Sequence, residues 1–342
     1  MGIKRALLKS LTVPGITIPF RALLNDRATI LMLHRFHDPE NGIEGLDPAA
    51  LADGLAWLRR NDYELVRLDD LFERMAGHGP PLRRTVAFTI DDGYYDHALV
   101  AAPVFARFDC PSTTFVTSGF LDRALWMWWD RIHYLFAHTE AVVLEFLLGG
   151  KALRYELAEG RAAAAEDFVN RCIAVADEVK QRAIVDAAEA GRVTLPEQAP
   201  PGYRPMSWDE LRAAERLGMN FAPHTVTHPI LARTTDAQSQ WELAESWRRL
   251  RTEAADPVNI FAYPNGQFED FGNREVETLR KLGFAGAVVG VGGHTSAQAF
   301  RDDPDERFRV RRLGYLPALG HLVKQVSGVE RFQQILRAED AA

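Results

Sequence analysis

The chain has 342 residues, of which 47% are hydrophobic and 25% charged, with a formal net charge of −7. That length suits an α/β barrel folding as one unit, and the composition excludes a disordered chain. The acidic balance argues against a nucleic-acid partner. Cys110 and Cys172 form neither a CxxC pair nor a disulfide framework, which fits reduced thiols in a cytoplasmic protein.

Residues 1–27 are basic and leucine-rich, but Pro14, Gly15 and Pro19 interrupt them and no small-residue cleavage site follows. They read as a peripheral helical segment, neither a signal peptide nor a membrane span. Their lysines, arginines and leucines would also suit a weak association with a membrane surface, though a helix packed on the domain is the simpler expectation. A strand in "ATILMLHRFHD" then runs from Ala28 into His34 and His37. Leu51, Leu55 and Leu58 recur at helical intervals over 47–61. "TVAFTIDDG" is a buried strand ending in Asp91 and Asp92, and "STTFVTSG" (112–119) is another. From about 120 to 200 the chain is rich in Ala, Glu and Leu, opens on "WMWWD" (126–130), and reads as a helical insertion. Ser207 and Glu210 have capping-box spacing at the start of a helix over 207–219. The remaining strands are "MNFAPHTVTHP" into His224 and His228, "VNIFAYPNG" into Tyr263 and Asn265, and "FAGAVVGVGG" (284–293). "QWELAESWRRLRTEA" and "NREVETLRKLGF" are amphipathic helices between and after them. Strands alternating with helices predict an α/β barrel domain over 28–342, built on a parallel sheet.

In such a barrel every strand's C-terminal end opens on one face, where active sites sit. His34, Asp91, Asp92, His224, His228 and the Asn265 loop would converge there. Asp91 and Asp92 repel each other unless something positive lies between them. His224 and His228 are four residues apart, a spacing that one turn of helix brings to one side. Two histidines and one aspartate make a three-ligand site for a divalent metal with a position left for water. One carboxylate would then bind the metal and the other take a proton from the water. Either half alone is weak: Asp-Asp-Gly by itself is more simply a capped turn.

Thr89-Ile90-Asp91-Asp92-Gly93 resembles the Thr-Phe-Asp-Asp-Gly motif of the polysaccharide deacetylase family, the NodB-homology carbohydrate esterases of family 4. His224-Thr225-Val226-Thr227-His228-Pro229 resembles that family's second motif, and Phe261 to Gly266 its third. The resemblance spans roughly residues 28–315 outside the insertion, and it is of the exopolysaccharide-biosynthesis-like branch, some members of which have an early element comparable to that of His34. It implies a distorted (β/α) barrel of the deacetylase type. It implies Asp92, His224 and His228 as metal ligands, Asp91 as general base, and the Asn265 backbone N–H as oxyanion donor.

Two positions depart from the family pattern. The arginine that many members carry in the third motif is Ala262 here, so another cation must orient Asp91; Arg309 or Arg311 is the candidate. The general acid of many members sits in a late Leu-x-His motif, which Leu319-Gly320-His321 matches in letters without a preceding strand. His34, at the end of a proper strand, is favoured over His321, with His37 and His294 as weaker competitors. Tyr263, Arg311 and Trp128 are the candidate substrate contacts, although tryptophans more often anchor packing, here of the insertion onto the barrel.

The expectation is therefore a metal-dependent hydrolase, with Zn2+ or a similar ion such as Co2+ or Ni2+. It would remove acetyl groups, N-acetyl in the leading reading, from a polysaccharide, oligosaccharide or glycolipid precursor. A deformylase of a lipid-linked amino sugar and a non-catalytic glycan-binding scaffold are the alternatives. The expected location is the cytoplasm, at the inner membrane face.

Overall fold

A computed structural model describes Leu8 and residues 10–339. Lys4, Arg5 and Lys9, which carry much of the basic character of the N-terminal segment, lie outside the described residues. A 3-10 helix, Ile18–Leu24, follows that segment and packs on the last helix, Val329–Glu339, with the Phe20 and Phe332 rings 5.1 Å apart. Among the described residues no helix is long and apolar enough to cross a membrane.

The strands are β1 (Thr29–Leu33), β2 (Glu64–Leu65), β3 (Thr85–Asp92), β4 (Ser112–Val116), β5 (Val143–Leu148), β6 (Lys151–Glu156), β7 (Met219–Pro223), β8 (Ile260–Ala262), β9 (Gly286–Gly292) and β10 (Val310–Gly314). Eight of them form one sheet of order β7-β4-β3-β1-β10-β9-β8, with β2 added against β3. All its pairings are parallel. The Val258 N–H donates to the Phe221 carbonyl at 2.7 Å, so the chain entering β8 touches the β7 edge and the sheet nearly closes. This is the expected distorted (β/α) barrel, and β1 and β10, the first and last strands, are neighbours.

The barrel is filled by inward positions such as Ile30, Ala87, Phe115, Ala222, Ile260, Val288 and Val310, all fully buried. A second cluster, including Leu31, Phe88 and Leu313, packs the sheet against its outer helices. The helices at 48–60, 208–215, 236–253 and 273–281 lie where periodicity placed them. Asp47 caps the first by accepting the Ala49 N–H, and the Ser207–Glu210 capping box starts the second.

Strand β10 carries no strand signal in the sequence because "RVRRL" hides its apolar period: one inward position holds Arg312 rather than an aliphatic residue. The segment 120–200 also differs from a purely helical insertion. It holds the helices Trp128–His138, Arg161–Ile173 and Asp177–Ala190, but also the antiparallel hairpin β5–β6. Leu144, Phe146 and Leu148 alternate inward along β5, and Gly149 and Gly150 turn the chain at φ 57° and 82°. Both values fall in the left-handed region that a tight hairpin turn requires. The insertion has its own core, built around Ile132, Leu135, Phe136, Phe146, Phe168 and Ile184.

Both ends of the insertion are anchored to the turn that follows Asp92. At its start, Tyr94 donates its hydroxyl to Asp130 at 2.7 Å and accepts the Trp129 indole N–H at 3.0 Å. Past its end, Met206 N–H donates to the Gly93 carbonyl and Tyr95 N–H to the Arg204 carbonyl. The insertion thus roofs the C-terminal face of the barrel.

Candidate active site

A cleft of about 940 Å³ opens between the barrel's C-terminal face and the insertion. The strands supply His34 from the end of β1, Asp91 and Asp92 from β3, His224 and His228 from the loop after β7, and Asn265 from the loop after β8; all of them line it. The sequence-predicted catalytic and ligand residues therefore meet at one place.

Asp92, His224 and His228 form a buried cluster whose donor atoms lie within 4.8 Å of one another. The two Nε2 atoms are 3.1 Å apart, and Asp92 Oδ1 lies 3.8 Å from His224 Nε2 and 3.5 Å from His228 Nε2. His224 donates from Nδ1 to the Ala262 carbonyl at 2.7 Å, which leaves the Nε2 lone pair facing the cluster. Burial lowers the pKa of His224 to about 4 and holds His228 well below its ordinary value, so both rings are neutral. Burial, then the Asp91 and Asp130 carboxylates, push Asp92 well above the usual carboxylate range. Two neutral imidazoles and a crowded carboxylate whose donor atoms converge within the cluster are a donor set that fits a divalent cation, which would replace the proton that the groups otherwise share.

The histidines are not one turn of helix, as their spacing suggested. They sit on a loop in which Thr225 and His228 adopt φ 69° and 57°. Thr225 Oγ1 accepts the His228 N–H at 3.0 Å and closes the loop on itself. Glu242, fully buried on the helix Asp236–Glu253, accepts the N–H groups of Val226 and Thr227 at 2.7 and 2.9 Å and the Thr227 hydroxyl. A carboxylate taking several donors can hold a loop that no regular element stabilises. Nothing in the local sequence pointed to Glu242.

The third loop is fitted as closely. Asn265 adopts φ 59°, and its side chain donates to Asp270. Glycine is obligatory at 290, where a Cβ would stand 2.4 Å from the Asn265 carbonyl oxygen. No acceptor pairs with the Asn265 N–H among the described residues. Asp92 itself adopts φ 91°. Four of the ten non-glycine residues with positive φ among those described thus belong to these three segments, a concentration of backbone strain typical of functional sites.

Asp91 is oriented by Arg312, neither Arg309 nor Arg311. The Arg312 guanidinium, fully buried inside the barrel, donates to both Asp91 oxygens at 2.6 and 2.7 Å. It also donates to the Val289 carbonyl and the Thr89 hydroxyl. Burial alone would raise the Asp91 pKa, but the Arg312 charge and hydrogen bonds hold the carboxyl well below its usual range. Arg311, one residue earlier, sits over the Phe268 ring at 5.0 Å and does not line the cleft. Arg309 precedes β10. Side chains alternate along a strand, so 310 and 312 point into the barrel while 311 does not.

His34 lies open to solvent in the cleft, although protein surrounds it. That enclosure lowers its pKa, with Asp91 opposing and Arg312 reinforcing the shift. His321 lies on the helix Leu319–Val326, His294 is buried with its Nε2 at the Gln325 carbonyl, and His37 is exposed; none of them lines the cleft. Tyr263 is buried with its ring stacked on Phe271 at 3.7 Å and is also absent from the cleft wall. Trp128 reaches the cleft but is largely packed in the insertion core, with Lys180 over its ring at 4.5 Å. Its neighbour Trp129 is the more open of the two, and its ring lies edge-on to His228 at 4.7 Å.

A family model described as polysaccharide deacetylase matches residues 78–287, more than half of the chain. The chain belongs to the polysaccharide deacetylase family. Its reaction is deacetylation, and its substrate is an acetylated glycan. The match includes the Asp91–Asp92, His224–His228 and Asn265 segments but ends before Arg312. Among solved structures, the fold is similar to that of the Streptococcus pyogenes deacetylase PplD in complex with acetate, with TM-score 0.57 and 16% identity over 88% of this chain and 98% of that one. It is also similar to IcaB from Ammonifex degensii, with TM-score 0.54 and 17% identity over 89% and 97% of the two chains. A de-N-acetylase from Aggregatibacter actinomycetemcomitans is similar as well, with TM-score 0.52 and 14% identity over 85% and 96%. No curated protein sequence matches the chain.

Proposed function

We propose that this deacetylase is a metal-dependent hydrolase that removes N-acetyl groups from an amino-sugar glycan of the exopolysaccharide type or its precursor. The single observation carrying the reading is the pairing of a three-residue donor cluster with a separately charged neighbour. Asp92, His224 and His228 would hold the divalent ion, with Zn2+ the first candidate, while Asp91 is tied to Arg312 and stays free to accept a proton. A bound divalent ion supplies Lewis acidity and lowers the pKa of water. Asp91 takes the proton of the attacking water, its oxygens held in place by the guanidinium fork. The Asn265 N–H stabilises the negative charge that develops on the acetyl oxygen. His34, across the cleft, gives a proton to the departing sugar amine. Retention of all three donor residues supports catalysis over the scaffold reading, since a degenerate member is expected to lose one. Cytoplasmic residence at the inner membrane face belongs to the same proposal; the two buried free cysteines suit it, and cell fractionation tests it.

Asp91→Asn tests the core of the reading. Turnover of N-acetylated glucosamine oligomers, read as acetate release, is expected to fall by roughly three orders of magnitude or more with loss of the base. Metal content by elemental analysis is expected to stay at the wild-type level. Full activity in the variant would remove Asp91 from the base role, and formate release from a formylated amino sugar in preference to acetate would move the substrate to the other acyl group.

A further inference from the structure

The five residues after Asp92 do more than turn the chain. His97 is fully buried and donates from Nε2 to the backbone carbonyl of His34 at 2.5 Å. Phe36 and Tyr94 lie edge-on to its ring at 6.0 and 5.9 Å. Burial lowers its pKa to about 4, with Asp96 opposing, so the ring is neutral; its one proton sits on Nε2, and Nδ1 is buried without a partner. Asp96 is also fully buried, accepts the Phe36 N–H at 2.7 Å and pairs with Arg35 Nε at 3.1 Å. Two adjacent side chains therefore grip three consecutive residues, 34 to 36, where the chain leaves β1.

That grip acts where the sheet no longer does. β1 ends at Leu33, so His34 has no ladder partner to set its direction. Its imidazole makes no hydrogen bond among the described residues, so the backbone beneath it carries much of the aim of the ring. An apolar packing role for His97 would not need a donor aimed at that carbonyl. A buried neutral imidazole with one nitrogen spent on a neighbour's backbone is what setting that backbone requires.

We propose that His97, supported by Asp96, is a positioning residue that fixes the backbone from which His34 is aimed at the leaving amine. This rests on the assignment of His34 as the general acid. His97 transfers no proton itself.

The test compares metal-loaded wild type with His97→Leu, His97→Gln, His34→Asn and the H34N/H97L double variant, using acetate release from an N-acetylglucosamine oligomer. H97L is expected to lower kcat about tenfold or more while KM stays within about twofold, since a misaimed group costs turnover rather than binding. H97Q sets an amide N–H near the Nε2 position and is expected to recover most of the loss. The double variant is expected to be no slower than H34N within about twofold, because both changes disable one unit. If H97L fails to fold by circular dichroism, His97→Asn replaces it: the shorter amide keeps polarity without reaching the His34 carbonyl, and the same pattern is expected. Equal losses in H97L and H97Q, a rise in KM alone, or a full additional loss on the H34N background would each overturn the positioning role. Wild-type kcat in H34N would instead overturn the acid assignment, whereas a slow H34N beside a wild-type H97L would overturn only the positioning role.

Discussion

The cleft has two walls built on different principles. The barrel wall presents groups whose exact atoms matter, and each is tied down from a distance: Asp91 by Arg312, the His224–His228 loop by Glu242, His34 by His97. The insertion wall is held mainly by its own apolar core and by a few anchors on Tyr94. Reaction chemistry on one side rests on long-range polar pairs, and enclosure on the other rests on shape. Single substitutions should therefore separate the two walls by which property they damage.

The largest effect is expected at Arg312. Arg312→Met leaves the Asp91 carboxylate buried without its partner, and breaking a buried pair from one side costs about 3–5 kcal/mol. Chemical denaturation should show that loss, and kcat for acetate release should drop about a hundredfold or more as the base loses its orientation. Retained stability and activity would show that the pair is not what holds Asp91. Next comes Glu242, which touches no ligand atom. Glu242→Gln weakens its hold on two backbone N–H groups and a hydroxyl, so the loop bearing both histidines loosens. Metal affinity is expected to fall about 10–100-fold, the usual scale for partners behind a ligand, and competition with a chelator reads it directly. Unchanged affinity would mean that the loop holds its shape through Thr225 alone.

What could be read beforehand follows the same division. Asp91, Asp92, His224, His228 and Asn265 stand in short motifs, and their chemistry shows in neighbouring letters. Six strands and four helices of the barrel were legible because their apolar periods are regular. Arg312 and Glu242 were not, since each acts on a residue more than a dozen positions away and has no local pattern of its own. Ala262 stands where many members carry the third-motif arginine, and the cation on Asp91 comes instead from Arg312 on the last strand, β10. Arginine at an inward position also disguised β10. The β5–β6 hairpin is a different kind of miss. Alternation at Leu144, Phe146 and Leu148 and the Gly149-Gly150 pair are ordinary hairpin signals, masked by the Ala- and Glu-rich helical stretch that surrounds them.

The insertion wall predicts the smallest effect, and it is the control for the others. Gly150 sits at φ 82° with open space around the position of a Cβ, so Gly150→Ala meets no clash. Its cost is conformational alone, about 1–2 kcal/mol for a left-handed alanine. If the hairpin serves only to complete the insertion core, stability by denaturation should fall by that amount while kcat, KM and metal content stay at wild-type values. A shift in KM without loss of metal would instead mean that the hairpin sets the position of Trp129 and Asp130 over the cleft. The roof would then select the glycan rather than merely cover the site, and the two walls would share one function.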